Sequence, residues 1–88
     1  MTDKIALRKG ILRRTGIGEF GVIRVDARPG HPVTVRLLVA VDEEEAKYTL
    51  QIGDSFPVQG ELWVLDGVDD PAGAWLVRLR KAEQTLPG

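Results

Sequence analysis

The stretch from Tyr48 to Val68, YTLQIGDSFPVQGELWVLDGV, constrains the fold more than any other part of the chain. Apolar Tyr48, Leu50 and Ile52 alternate with polar Thr49 and Gln51, the period of a half-buried strand. Gly53-Asp54 then supplies a turn, because glycine accepts a positive φ at little steric cost. Phe56 and Val58 alternate around Pro57, whose missing N–H confines this piece to a short edge strand. Gln59-Gly60 turns the chain again. In ELWVLDGV both faces are apolar, with Leu62, Val64 and Val68 on one and Trp63 and Leu65 on the other. Such a strand is covered on both sides or presents one side to a partner. The whole stretch spells a tight antiparallel meander.

The rest of the chain continues in this style. KIALRKGILRR (4–14) starts as a strand with Ile5 and Leu7 inward, and Gly10 breaks the alternation with a bulge or bend. EFGVIRVDA (19–27) is a second strand, with Gly21 shifting its facing, so that Phe20 and Val22 lie opposite Ile23 and Val25. Pro29-Gly30-His31-Pro32 is a turn. Residues 33–41 are the cleanest strand, with Val33, Val35, Leu37, Val39 and Val41 at every odd position. Asp42 to Glu45 read as an acidic connection, one turn of helix or a wide hairpin loop. After the turn at Asp69–Gly73, AWLVRLRK places Trp75, Val77 and Leu79 on one face. No ten-residue segment carries the 3.6-residue period of a helix.

These spacings predict an all-β fold, a small antiparallel barrel or sandwich of about six to seven short strands, with no substantial helix. One β domain covers 1–82, and 83–88 form a frayed tail. The expected core runs from Ile5, Leu7 and Phe20 through Val25, Val35, Leu37 and Val39. It continues with Tyr48, Leu50, Ile52, Phe56, Leu62 and Val64, and closes with Trp75, Val77 and Leu79.

The pattern YTL-x-x-GD-x-F, followed by W-x-L-x-x-V and a closing strand, resembles an uncharacterised family of small single-domain proteins from high-GC Gram-positive bacteria. The resemblance covers most of the chain and rests on core and turn positions. It implies a single-domain protein and carries no catalytic or binding residue with it.

Composition narrows the chemistry. At 43% hydrophobic and 28% charged, 88 residues suffice for one packed core and no second domain. The chain has no cysteine, which removes disulfides, thiolate zinc sites and cysteine nucleophiles. No apolar run reaches membrane-span length and the first residues lack a signal-peptide core, so a cytoplasmic location is expected. The net charge is −1, but residues 1–40 carry 8 basic and 3 acidic side chains, whereas residues 41–73 carry 1 basic and 9 acidic. Either strand mixing interleaves these charges, or the surface is dipolar and favours association.

Motifs that could carry catalysis do not hold. Gly16, Gly18 and Gly21 match G-x-G-x-x-G, but a strand follows them, not the helix that binds a pyrophosphate. The kinase-type loop G-x-G-x-F-G-x-V fits locally, yet no H-R-D or D-F-G element exists. A hairpin loop is the better reading. Asp66, Asp69 and Asp70 with Glu61 match no cation loop and read as turn chemistry. His31, the only histidine, lies in a loop, and Ser55, the only serine, has no elbow context.

No catalytic residue, metal ligand or cofactor is assigned. The expected function is non-catalytic, binding a protein partner or self-associating through a Trp63/Leu65 face or an edge strand near Phe56–Val58. Trp63 and Trp75 are either a core pair or an exposed aromatic patch. The alternative is a small-ligand barrel, able to catalyse a reaction in principle, with a pocket lined by tryptophans, Tyr48, Arg36 and Arg78. A third reading, single-stranded nucleic-acid binding, would use Lys4, Arg8, Lys9, Arg13, Arg14, Arg24, Arg28 and Arg36. A pI near 5.8 and only five aromatics weigh against it.

Overall fold

The alternating runs become eight strands in the computed structural model, which describes residues 4–82. They are β1 (Lys4–Arg8), β2 (Arg13–Thr15), β3 (Gly18–Asp26), β4 (Thr34–Val41), β5 (Glu44–Gln51), β6 (Ser55–Val58), β7 (Glu61–Asp69) and β8 (Leu76–Lys81). Two four-stranded antiparallel sheets result, ordered β1-β8-β7-β6 and β2-β3-β4-β5. They share one apolar core and form a sandwich, not a closed barrel. Among the described residues there is no helix, and so none long and apolar enough to cross a membrane.

The eighth strand comes from Gly10. The alternation on its two sides looks like one bent strand, but Gly10 sits at φ 77 and turns the chain out of its sheet. β1 pairs with β8, whereas Arg13–Thr15 cross to the other sheet and pair with β3. The acidic connection is also tighter than a helical turn or wide loop. Val41 opposes Glu44 directly, with Asp42 at φ 50 and Glu43 at φ 68 between them. Two consecutive positive φ angles are the signature of a type I′ hairpin turn. Glu44 and Glu45 therefore belong to β5. Gln59-Gly60 makes the same kind of turn between Val58 and Glu61.

That second turn sets the facing of β7. With Val58 opposite Glu61, Phe56 falls opposite Trp63, and directly opposed residues share a face. Phe56 and Val58 point inward, so Trp63 and Leu65 do as well, and Leu62 is left 42% exposed. The expectation that Leu62 joins the core is thereby overturned. Val58, Trp63 and Leu65 take that role. A bulge at Asp66 then inserts one extra residue between Leu65 and Gly67. It returns Val68 to the inner face opposite Val77. Ile52, expected inside, lies in the turn after β5 and is 51% exposed. A bulge between Val22 and Arg24 does the corresponding work in β3. Phe20, Val22 and Val25 all face the core, and Ile23 is pushed outward, so the change of facing occurs at Ile23 and not at Gly21.

The largest fully buried side chains are Phe20, Phe56, Leu7, Leu37, Leu65, Leu79, Val35 and Val77. They come from six strands of both sheets. Each is worth about 1.5–3 kcal/mol of transfer free energy when fully buried, so the core holds the two sheets together.

Candidate functional site

The predicted aromatic surface is inside the protein. Trp63 is 2% exposed, Trp75 9%, and Phe56 and Leu65 are equally buried. The core reading of both indoles is the one the structure shows. They are not a cross-strand pair, since Trp63 opposes Lys81 and Trp75 precedes the far end of β8, where Leu76 opposes Asp69. Trp63 packs on Phe20 with ring centroids 6.2 Å apart, and its buried indole N–H has no hydrogen-bond partner among the described residues. Tyr48 packs on Phe56 at 5.6 Å. Arg36 and Arg78 extend from the outer faces of different sheets, so the side chains proposed for a Trp/Tyr/Arg pocket do not converge. The sandwich leaves β6, with Pro57, at a sheet edge as its missing N–H requires.

The two outer faces differ in how their charges are compensated. On the β1-β8-β7-β6 sheet the acids of β7 meet the bases of β8. Arg78 contacts Asp66 at 3.6 Å and Asp69 at 3.2 Å, Arg80 contacts Asp66 at 3.1 Å, and Lys81 contacts Glu61 at 2.6 Å. Gly67 leaves room for the Arg78 guanidinium to lie across the strand. Arg78 is thus committed to an internal network.

On the other sheet the pattern reverses. Arg24 of β3 lies directly opposite Arg36 of β4. Both are exposed, and neither has a carboxylate within ion-pair distance among the described residues. Arg36 reaches only the Thr49 hydroxyl, at 3.5 Å. The nearby acids on β3 are taken: Asp26 accepts two bonds from Arg28, and Glu19 pairs with Arg14. Like charges directly opposed across a sheet destabilise it.

An apolar patch adjoins the arginines. Gly21 has no side chain, and Leu12 occupies the space that one would need. Leu38, opposite Gly21, continues the patch, and the bulge turns Ile23 out beside Arg24. Leu12 is 62% exposed and Ile23 49%. Two bare guanidinium groups next to exposed aliphatic side chains can hold carboxylates and apolar groups together.

The family-model match for the chain spans residues 2–83 and corresponds to a family of unknown function, DUF6406. The chain belongs to the DUF6406 family. No curated protein matches it, and no solved structure does.

The remaining features of this DUF6406 chain have structural explanations. The glycine-rich segment is the β2–β3 hairpin. There, the Thr15 hydroxyl accepts from the Ile17 N–H and donates to the Gly18 carbonyl. A Cβ on Gly18 would lie 2.6 Å from the Ala40 carbonyl oxygen, so close strand packing requires this glycine. His31 is exposed in its turn. Among the described residues no group of three or more side chains is placed to hold a metal ion. Surface depressions exist, among them a groove of about 340 Å³ between β5 and β6. It is floored by Val39, Ala46, Tyr48 and Val58 and edged by Glu44 and Glu45. The basic side chains are divided between the two outer faces, and four of the five aromatics are buried, with Tyr48 partly so.

Arg24 and Arg36 could have been paired from the sequence. The strands flanking Pro29–Pro32 are symmetric about Gly30, and that symmetry sets Arg24 opposite Arg36.

Proposed function

We propose that this domain is a non-catalytic docking module. It holds an acidic, leucine- or isoleucine-bearing segment of another protein on the outer face of the β2-β3-β4-β5 sheet. The observation that supports this reading is the opposed Arg24–Arg36 pair, exposed and with no ion-pair partner among the described residues, near Leu12 and Ile23. A partner carboxylate between the two guanidiniums removes their repulsion and forms charge-assisted bonds. Burying Ile23 and Leu12 adds apolar area. The cysteine-free composition is in keeping with a cytoplasmic setting. A small-ligand site and an oligonucleotide groove are the weaker readings. For the first, the Trp, Tyr and Arg side chains expected to line its pocket do not come together, and the second lacks exposed rings on which bases stack.

The test uses a fluorescent peptide of alternating glutamate and leucine, read by anisotropy. Binding should weaken as salt is added and be lost in Arg24→Glu/Arg36→Glu. Binding unchanged in that variant contradicts the proposal. A single-stranded oligonucleotide that binds more tightly than the peptide, and through the same arginines, replaces it with the nucleic-acid reading.

A further inference from the structure

A different feature of the same sheet concerns β5, its long edge strand. Gln51 fixes which main-chain groups of β5 face outward. Its N–H donates to Asp54 Oδ2 at 2.8 Å, and its carbonyl accepts from the Asp54 N–H at 2.9 Å. Both groups therefore turn away from β4. The β4–β5 ladder runs without a register shift from Val41–Glu44 to Thr34–Gln51. In an antiparallel ladder alternate residues point their N–H and C=O to the same side. Glu45, Lys47 and Thr49 thus present their backbone groups at the open edge, and among the described residues these have no backbone partner. Glu45 and Lys47 are exposed, with no ion pair among the described residues.

This edge is self-complementary. We infer that β5 is the seam of a two-fold homodimer, pairing antiparallel with β5 of a second copy around Ala46. In that register the two Ala46 residues meet at the axis, where a small side chain allows close approach. Glu45 faces the partner's Lys47, Lys47 faces the partner's Glu45, and Glu44 faces the partner's Tyr48. The outward backbone groups of Glu45 and Lys47 then hydrogen-bond reciprocally, and both charges are neutralised.

Neighbouring two-fold registers are worse. Centring on Lys47 opposes two ammonium groups, centring on Glu45 opposes two carboxylates, and centring on Tyr48 sets Lys47 against Thr49 and Glu45 against Gln51, so that neither charge meets its opposite. Like charges across a ladder are unfavourable, so charge selects the Ala46 register. The arrangement is isologous, the commonest kind of closed assembly. It joins the two sheets edge to edge and sets both Arg24–Arg36 patches on one continuous face. The dimer does not depend on what those patches bind.

Charge exchange tests the seam. The wild-type chain should dimerise reversibly in sedimentation equilibrium as its concentration approaches about 1 mM, the range of a small interface. Glu45→Lys and Lys47→Glu should each weaken dimerisation about tenfold or more, since each turns two attractions into repulsions. An equimolar mixture of those two variants should form a heterodimer, and the double variant Glu45→Lys/Lys47→Glu should dimerise like wild type. Amide exchange gives a second readout. The Glu45 and Lys47 amides should gain protection with concentration, while those of Ala46 and Tyr48 are protected at every concentration. A wild type that stays monomeric throughout overturns the inference. So does a mixture that fails to associate, or protection that does not depend on concentration.

Discussion

Reversing one charge of the Arg24–Arg36 pair should stabilise the domain. In wild type Arg24 and Arg36 occupy directly opposed positions on β3 and β4, and neither has a carboxylate within ion-pair distance among the described residues. Cross-strand charge pairs contribute about 0.2–1 kcal/mol, favourable for opposite signs and unfavourable for like signs. Arg24→Glu exchanges a repulsion for an attraction, so the gross gain is about 0.4–2 kcal/mol. Glutamate's lower strand preference takes back a few tenths, and the loss of Arg24's stem packing takes back a little more. A net gain of about 0.5–1 kcal/mol remains, which in a domain of this size raises Tm by roughly 2–8 °C. Urea melts of wild type, Arg24→Glu, Arg36→Glu and the double reversal form a complete cycle. The double reversal restores a like-charge pair and should fall back to near wild-type stability. At about 1 M salt the Debye length shrinks to ~3 Å, and most of the gain should vanish. If single reversals destabilise, or the two effects add, the arginines do not repel each other and the case for anion binding between them fails. Substitutions that stabilise a protein often do so at a functional surface, so the same variants should lose peptide binding as they gain stability.

Other predictions follow from the turns and the core. Glu43→Gly should stabilise by about 0.5–1 kcal/mol in urea melts, because Glu43 occupies the second position of a type I′ turn, where glycine is favoured. Leu65→Ala should cost about 2–5 kcal/mol, whereas Leu62→Ala should stay within about 0.5 kcal/mol. The reverse order would mean that β7 faces the other way. Gly18→Ala should destabilise by more than 1 kcal/mol as an order of magnitude, since Gly18 sits at φ 149 with the Ala40 carbonyl against its Cβ position. A neutral result in thermal melts would show that the β2–β3 hairpin stands further from β4.

Much of this architecture is written in local pattern. Val35, Leu37 and Val39 face inward because every second residue of β4 is apolar, and that signal needs no tertiary information. The facing of β7 is another matter. Both its faces are apolar, so alternation cannot choose between Trp63 and Leu62. The choice is made by Gln59-Gly60, whose two-residue geometry locks Phe56 to Trp63. β2 escapes detection because its three residues are too few to show a period, and its assignment to a second sheet depends on the turn at Gly10. The bulges at Ile23 and Asp66 each reverse the facing once, and each makes a single alternating reading of its strand fail partway along.

The candidate surface was half legible. Arg36 is visible as a binding residue, but next to buried tryptophans it has no role, and Arg78 is neutralised by Asp66 and Asp69. What matters is which arginines lack acids, and ion pairs between β7 and β8 decide that over a separation of about a dozen residues, beyond the reach of periodicity. The uneven charge along the chain resolves the same way. The acids of β7 are interleaved with the bases of β8, while Arg24 and Arg36 have no ion-pair partner among the described residues.

The most direct measurement of the central claim is an amide chemical-shift map of the domain titrated with the glutamate–leucine peptide. Saturable shifts should concentrate on Leu12, Ile23, Arg24, Arg36 and Leu38, with the outer face of the β1-β8-β7-β6 sheet unmoved. Shifts centred on Arg78 and Arg80, or spread evenly over both faces, would contradict the account.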